Sequence, residues 1–191
     1  AVLRTIGTLC EAFTKALPFK LTGAQQRVLA EIRSDVQKPY PMQRLLQGDV
    51  GSGKTIVAAL AACQAIEAGY QAAFMAPTEI LARQHFATLS TMLAGTGVAI
   101  ALFTGRDKGR ARESILMGLM DGSIQLVIGT HALLSKSVEF KRLGLVIIDE
   151  QHRFGVKQRK SLAQSRDPKK KELPHTKNLN FSQSQEGFRF I

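Results

Sequence analysis

Long apolar runs are missing from this 191-residue chain. No stretch approaches the roughly 20 apolar residues that a helix needs to span a bilayer, and no segment reads as a signal peptide. Cysteine is nearly absent too. Cys10 and Cys63 are the whole supply, too few for a disulfide framework, and Cys63 falls on a face expected to be buried. A cytoplasmic protein is the expectation. Acidic side chains are short as well: 15 Asp and Glu against 26 Lys and Arg, a net charge of +11. Such an excess suits an anionic partner such as DNA. Its distribution tempers that reading. Residues 1–156 hold 17 basic and 12 acidic side chains, a net +5, whereas residues 157–191 hold 9 and 3, a net +6. The run Lys169-Lys170-Lys171 in that tail reads as a solvated loop. No internal repeat is visible, and the length allows one domain with ample core.

What the chain does have is a glycine-rich string, Gly48-Asp49-Val50-Gly51-Ser52-Gly53-Lys54-Thr55. It fits the phosphate-loop pattern G-x-x-x-x-G-K-[ST] at every fixed position. Gly48, Gly51 and Gly53 let the backbone curl, so that successive N–H groups, that of Ser52 among them, point at phosphates. Lys54 can reach the β- and γ-phosphates of a nucleoside triphosphate, and the Thr55 hydroxyl can ligate Mg²⁺. Residues 44–47 read as a short strand before the loop. Residues 55–68 read as a helix after it, with Ile56, Ala59, Leu60, Cys63 and Ile66 on one face.

The second half of the site lies about a hundred residues on. Leu145-Val146-Ile147-Ile148 is a continuous apolar run, as for a strand buried on both faces, and it ends in Asp149-Glu150-Gln151-His152. An acid at the end of such a strand can hold Mg²⁺ through water, and its neighbour can orient the attacking water. Asp149 is assigned to the metal and Glu150 to the water. An acidic pair that merely ends a strand is the plain alternative, which the upstream loop outweighs.

Strands are expected at 44–47, 72–76, 98–103, 125–129 and 145–149. Helical patterns at 55–68, 79–93 and 107–120 separate most of them, and residues 1–16 read as a short lead-in helix. This alternation predicts a mostly parallel sheet with helices on both faces. Ligands of such sheets bind at the C-terminal ends of the strands, where the motifs fall.

Asp-Glu-x-His after an apolar strand resembles the second motif of superfamily 2 helicases and translocases. The longer strings Leu45–Thr55 and Asp149–Val156, with Gln158-Arg159, resemble the RecG family of bacterial branched-DNA helicases. The Mfd family of transcription-repair coupling translocases is the nearest alternative, and Gln151 favours RecG over it. The resemblance covers roughly residues 17–160. It implies a RecA-like P-loop NTPase lobe that uses ATP and Mg²⁺, followed by a basic, irregular tail at 161–191 without a family match. Phe19, Leu21-Thr22 and Gln25 resemble the segment that reads adenine, where an aromatic stacks and an amide pairs. A solvated glutamine on a helix face is the equal alternative for Gln25.

Other motifs fall in order between these. Ala76-Pro77-Thr78-Glu79, Thr104-Gly105 and Gly129-Thr130-His131 resemble loops that face nucleic acid in the family. Hydroxyls, backbone N–H groups and helix N-termini there can hold phosphates without reading sequence. Thr78 and Thr130 also fit as helix N-caps, and both roles can hold at once. Arg106, Lys108, Arg110 and Arg112 form a basic cluster beside Thr104. Thr78, Thr104, Arg106, Arg110, Thr130 and His131 are thus the candidate DNA contacts. The family's third motif is not found after residue 174, and neither the second motor lobe nor the wedge domain has a match in residues 1–191. An inactive nucleotide- or DNA-binding fragment is therefore the reading from another class.

Overall fold

Leu126-Val127-Ile128 and Leu145–Ile148 have no polar residue to turn toward water, so neither run can sit on an exposed sheet face. In the computed structural model both lie inside a four-stranded, wholly parallel sheet. The structure describes residues 7–36, 46 and 52–149. In chain order these form α1 (Thr8–Ala16), α2 (Gly23–Val36), α3 (Lys54–Glu67), β1 (Gln71–Met75), α4 (Glu79–Met92), β2 (Ile100–Phe103), α5 (Gly109–Asp121), β3 (Leu126–Gly129), a 3₁₀ turn (His131–Leu134) and β4 (Leu143–Ile148). The sheet order is β2-β3-β1-β4. The strand expected at 44–47 lies outside the described residues except for Leu46, which packs against the core.

Side chains alternate across the sheet and divide the core in two. Ala72, Phe74, Leu126, Ile128, Leu145 and Ile147 face α1 to α4. Ala73, Met75, Val127, Val146 and Ile148 face Leu119 of α5 and Leu133 of the 3₁₀ turn. Helices thus cover both faces, as the alternation predicts, though most of them gather on one.

Helix α3 departs from its expected single buried face. Every residue from Ile56 to Ile66 is buried. The sheet covers one side of α3, and α1 and α2 pack over the rest. Helix α2 lies outside the predicted helical patterns: its sequence is mostly polar, with Ile32 fully buried and Val28 and Leu29 partly so. Helix α1 is fastened by the Glu67 carboxylate, which accepts hydrogen bonds from the Leu9 and Cys10 N–H groups. A negative charge there also suits the positive end of the helix dipole. Burial, together with that carboxylate, pushes the Cys63 thiol up to about 12 and raises Cys10 as well. Both thiols stay neutral and packed, which makes them inert rather than reactive.

The strand registers bring four C-terminal ends level. Met75 pairs with Gly129 and with Ile148, and Phe103 pairs with Gly129. At Gly129 a Cβ would lie 2.2 Å from the Phe103 carbonyl oxygen, so only glycine lets β3 close against β2 here. At the opposite edge the register slips between Gln71 and Ala72. The Gln71 amide donates to the Leu119 and Ile124 carbonyls and accepts from the Arg142 N–H, so this buried polar group is satisfied.

Candidate nucleotide site and nucleic-acid edge

Helix α3 ends at Glu67 and turns directly into β1, so its start lies at the same edge as the C-terminal ends of β1 and β4. The residue that opens α3 is Gly53, with φ +81°. That left-handed conformation suits glycine. No side chain caps the helix at Gly53, and a helix start of this kind can bind an anion. Lys54 and Thr55 form its first turn, both partly exposed. Asp149 follows β4 directly, its N–H donating to the Met75 carbonyl at 2.8 Å. Thr55 and Asp149 thus lie at one edge of the sheet, and hard oxygen donors such as theirs suit Mg²⁺. Gly48, Gly51 and Glu150 lie outside the described residues.

Gln25 is neither solvated nor open. It is buried, and its amide Nε2 donates to the Ser52 carbonyl at 3.0 Å while its Oε1 accepts from the Thr22 N–H at 2.9 Å. Thr22 returns a bond through Oγ1 to the Gln25 N–H. Gln25 therefore holds the start of α2 against the phosphate loop. A Cβ on Gly53 would meet its Nε2 at 2.1 Å. The alternative of a solvated helix-face glutamine is excluded by this burial. Phe19 is about half exposed and lines a cavity of about 450 Å³ with Lys15, Pro18, Lys20 and Gln26.

The nucleic-acid candidates divide by exposure. Thr78, Arg106, Arg110 and His131 are exposed. Thr130 is buried and accepts from the Ala132 N–H at 3.4 Å. Thr78 caps α4, accepting from the Leu81 N–H at 3.3 Å. Thr104 corrects the sequence expectation. It is fully buried, and Asp107 Oδ2 takes both its N–H (2.5 Å) and its hydroxyl (3.1 Å). Its polar atoms are used in the turn and have nothing to offer a phosphate. Arg106 pairs with Glu79 at 3.1 Å, and Glu79 also pairs with Arg83; an exposed pair of this kind is worth about 0.2–1 kcal/mol and opens readily. Arg112 is held over the Phe103 ring, 4.5 Å from its centroid, and donates to Ser137. Arg110 is left as the cation of this cluster, with Lys108, that is both exposed and without such a hold among the described residues.

One polar contact was not foreseen. His85 Nε2 lies 2.8 Å from Asp149 Oδ2. Its signal in the sequence is weak: a histidine seven residues after the Thr78 cap, two turns along α4.

A parallel sheet with a glycine-opened helix start and an acid at the end of β4 is the arrangement of P-loop NTPase lobes. The family model for DEAD/DEAH box helicases matches residues 22–182, and the chain belongs to that family. Within it the sequence is RecG-like. It is 57% identical over 150 residues to the ATP-dependent DNA helicase RecG of Bacillus subtilis, and 52% identical over 155 residues to that of Escherichia coli. These matches cover 78% and 81% of this chain but 22% of each relative. The chain therefore spans about a fifth of the length of the curated relatives it matches. A solved structure of RecG bound to a three-way DNA junction superposes with a TM-score of 0.77 at 44% identity, covering 98% of this chain and 23% of that one. A hypothetical ATP-dependent RNA helicase from Sulfolobus tokodaii, 18% identical with a TM-score of 0.62 over 97% of this chain and 50% of its own, shares the fold. The fold is thus the RecA-like lobe of these helicases. The coupling-translocase alternative draws no support from these comparisons. No helix among the described residues is long and apolar enough to cross a membrane.

Proposed function

We propose that this chain is the ATP-binding lobe of a RecG-like helicase that couples ATP hydrolysis to remodelling of branched DNA in repair and recombination. The observation that carries it is the uncapped start of α3 at Gly53, level with Asp149 at the end of β4. Gly48, Gly51, Ser52 and Gly53 cradle the phosphates with backbone N–H groups. Lys54 neutralises the β- and γ-phosphates through charge-assisted bonds. Thr55 and Asp149 hold Mg²⁺, which when bound spreads the negative charge of the transferred phosphoryl group. Glu150 orients the attacking water. Phe19 and its cavity take the adenine. Gln25 acts from the other side of the loop, setting Ser52 in place.

DNA lies along the C-terminal edge. Thr78, Arg106, Arg110 and His131 are its exposed contacts, and the starts of α4 and the 3₁₀ turn face the same way. Contacts of this type bind phosphates without sequence preference and weaken with salt. The second motor lobe supplies the cation that completes the ATP site; such a finger is worth roughly 10³–10⁵ in rate. The 191-residue chain by itself therefore binds nucleotide but shows almost no DNA-stimulated hydrolysis. Calorimetry with ADP and Mg²⁺ tests the site. Lys54→Ala is expected to weaken affinity at least tenfold, and equal affinity in the two forms rejects the assignment.

A further inference from the structure

Helix α4 contributes a residue to the far side of the nucleotide site. His85 sits on its second turn and reaches past β1 to Asp149, with Nε2 2.8 Å from Oδ2. The ring is packed against Phe74, centroids 4.6 Å apart and planes inclined by 44°. Phe74 is itself buried in the core. The His85 side chain is only 16% exposed, against 30% for Asp149. One wall of the imidazole is thus fixed by the sheet, and its polar end is aimed at the carboxylate. An ionised carboxylate only accepts, so Nε2 carries the hydrogen in this contact.

We propose that His85 is a positioning residue that aims the Asp149 carboxylate for Mg²⁺. The proposal rests on the reading of Asp149 as a metal-holding acid. Asp149 stands one residue beyond the last strand residue, its N–H still bonded to the Met75 carbonyl, and backbone pairing does not set a side-chain rotamer. A carboxylate there has several staggered orientations open to it, and only some of them serve a cation shared with the triphosphate. The hydrogen bond to His85 engages Oδ2 and so restricts which way the carboxylate turns. Outer partners of ligating carboxylates commonly matter by 10–100-fold in metal affinity. His85 does not touch nucleotide in this scheme and acts only through Asp149.

The test is ADP binding to the 191-residue chain by calorimetry, with Mg²⁺ at saturation and with EDTA. His85→Phe keeps the ring and its packing on Phe74 but removes the donor. It is expected to weaken ADP affinity about tenfold with Mg²⁺ and less than twofold without it. His85→Gln restores a donor at similar reach and is expected to recover affinity to within about threefold of the parent. His85→Leu makes the same comparison should the Phe variant not fold, and thermal unfolding of each variant reports its packing. Equal losses with Mg²⁺ and with EDTA overturn the proposal, because they indicate a purely structural role, and so does a Gln variant no better than Phe. Asp149→Asn separates the two levels. If it leaves the Mg²⁺ dependence intact, the metal reading fails, and the His85 proposal with it. If it abolishes that dependence while His85→Phe preserves it, His85 alone is misassigned.

Discussion

Two kinds of helix start share one edge of this sheet. Helix α3 opens at a left-handed Gly53 with no side chain to cap it. Helix α4 and the 3₁₀ turn open at Thr78 and Thr130, whose hydroxyls accept from their own N–H groups. In a sequence all three look like phosphate-facing positions. The fold separates them by what is left unsatisfied. An uncapped start presents N–H groups and the positive end of a dipole to an incoming anion, whereas a capped start has already used part of that capacity. Neighbouring Thr104 goes further, with both its N–H and its hydroxyl taken by Asp107. The lesson is that motif position locates an edge, and hydrogen-bond accounting says which groups on it remain available.

The largest expected effect is on turnover at the open side. Glu150→Gln, in a full-length protein carrying this lobe, is expected to lower the rate of ATP hydrolysis by about 10²–10⁴-fold, the usual worth of a positioned acid–base group. Affinity for ADP should stay within twofold. Steady-state kinetics beside calorimetry reads both, and parental turnover would remove Glu150 from its assigned role.

Helix starts themselves come next. Gly53→Ala forces a side chain into a left-handed conformation, at roughly 1–3 kcal/mol, and pushes its Cβ toward the Gln25 amide, 2.1 Å away. Both stability and nucleotide affinity should fall. Thr78→Ala removes a cap worth about 0.5–2 kcal/mol and should cost stability with little change in nucleotide affinity. Denaturant melts and ADP titrations on the two variants give the comparison directly; a Thr78→Ala chain with tenfold weaker ADP binding would break it.

The nucleic-acid side calls for a smaller measurement. Arg110→Ala should reduce the salt slope of DNA binding by about one. Thr104→Val should destabilise the turn and leave that slope unchanged, since its polar atoms face Asp107. Fluorescence anisotropy with forked DNA across a salt series separates them. A Thr104→Val slope that falls as far as that of Arg110→Ala would return Thr104 to the DNA face.

The smallest expected effect is an alkaline one. Cys63 is held near 12 against an ordinary 9.0, first by burial and then by Glu67. Its raised value stabilises the fold fully below about pH 9. That contribution is lost between about pH 9 and 12, as the unfolded thiol ionises and the folded one does not. Cys63→Ala should therefore flatten the decline in stability over that window, read by denaturant midpoints at pH 8 and pH 10. An unchanged pH profile would show that the thiol contributes nothing there.

The sequence by itself determined the parallel α/β architecture, because Leu126–Ile128 and Leu145–Ile148 cannot face water and the phosphate loop needs a helix immediately after it. It also located the edge where the candidate motifs fall, since strand ends and motifs coincide at Thr78, Thr104, Thr130 and Asp149. Local pattern carries that much because periodicity and turn chemistry are local. Four things were decided only by the tertiary structure. Helix α3 is buried all round rather than on one face, because α1 and α2 cover its outer side, and no periodicity in α3 encodes its neighbours. Gln25 holds Ser52, and Thr104 is closed off by Asp107, because hydrogen-bond partners are chosen by proximity in space. His85 meets Asp149 across 64 positions of chain, since β1 and β4 pair side by side and α4 follows β1. Contacts that distant are set by strand order, which the order of motifs along a chain does not reveal.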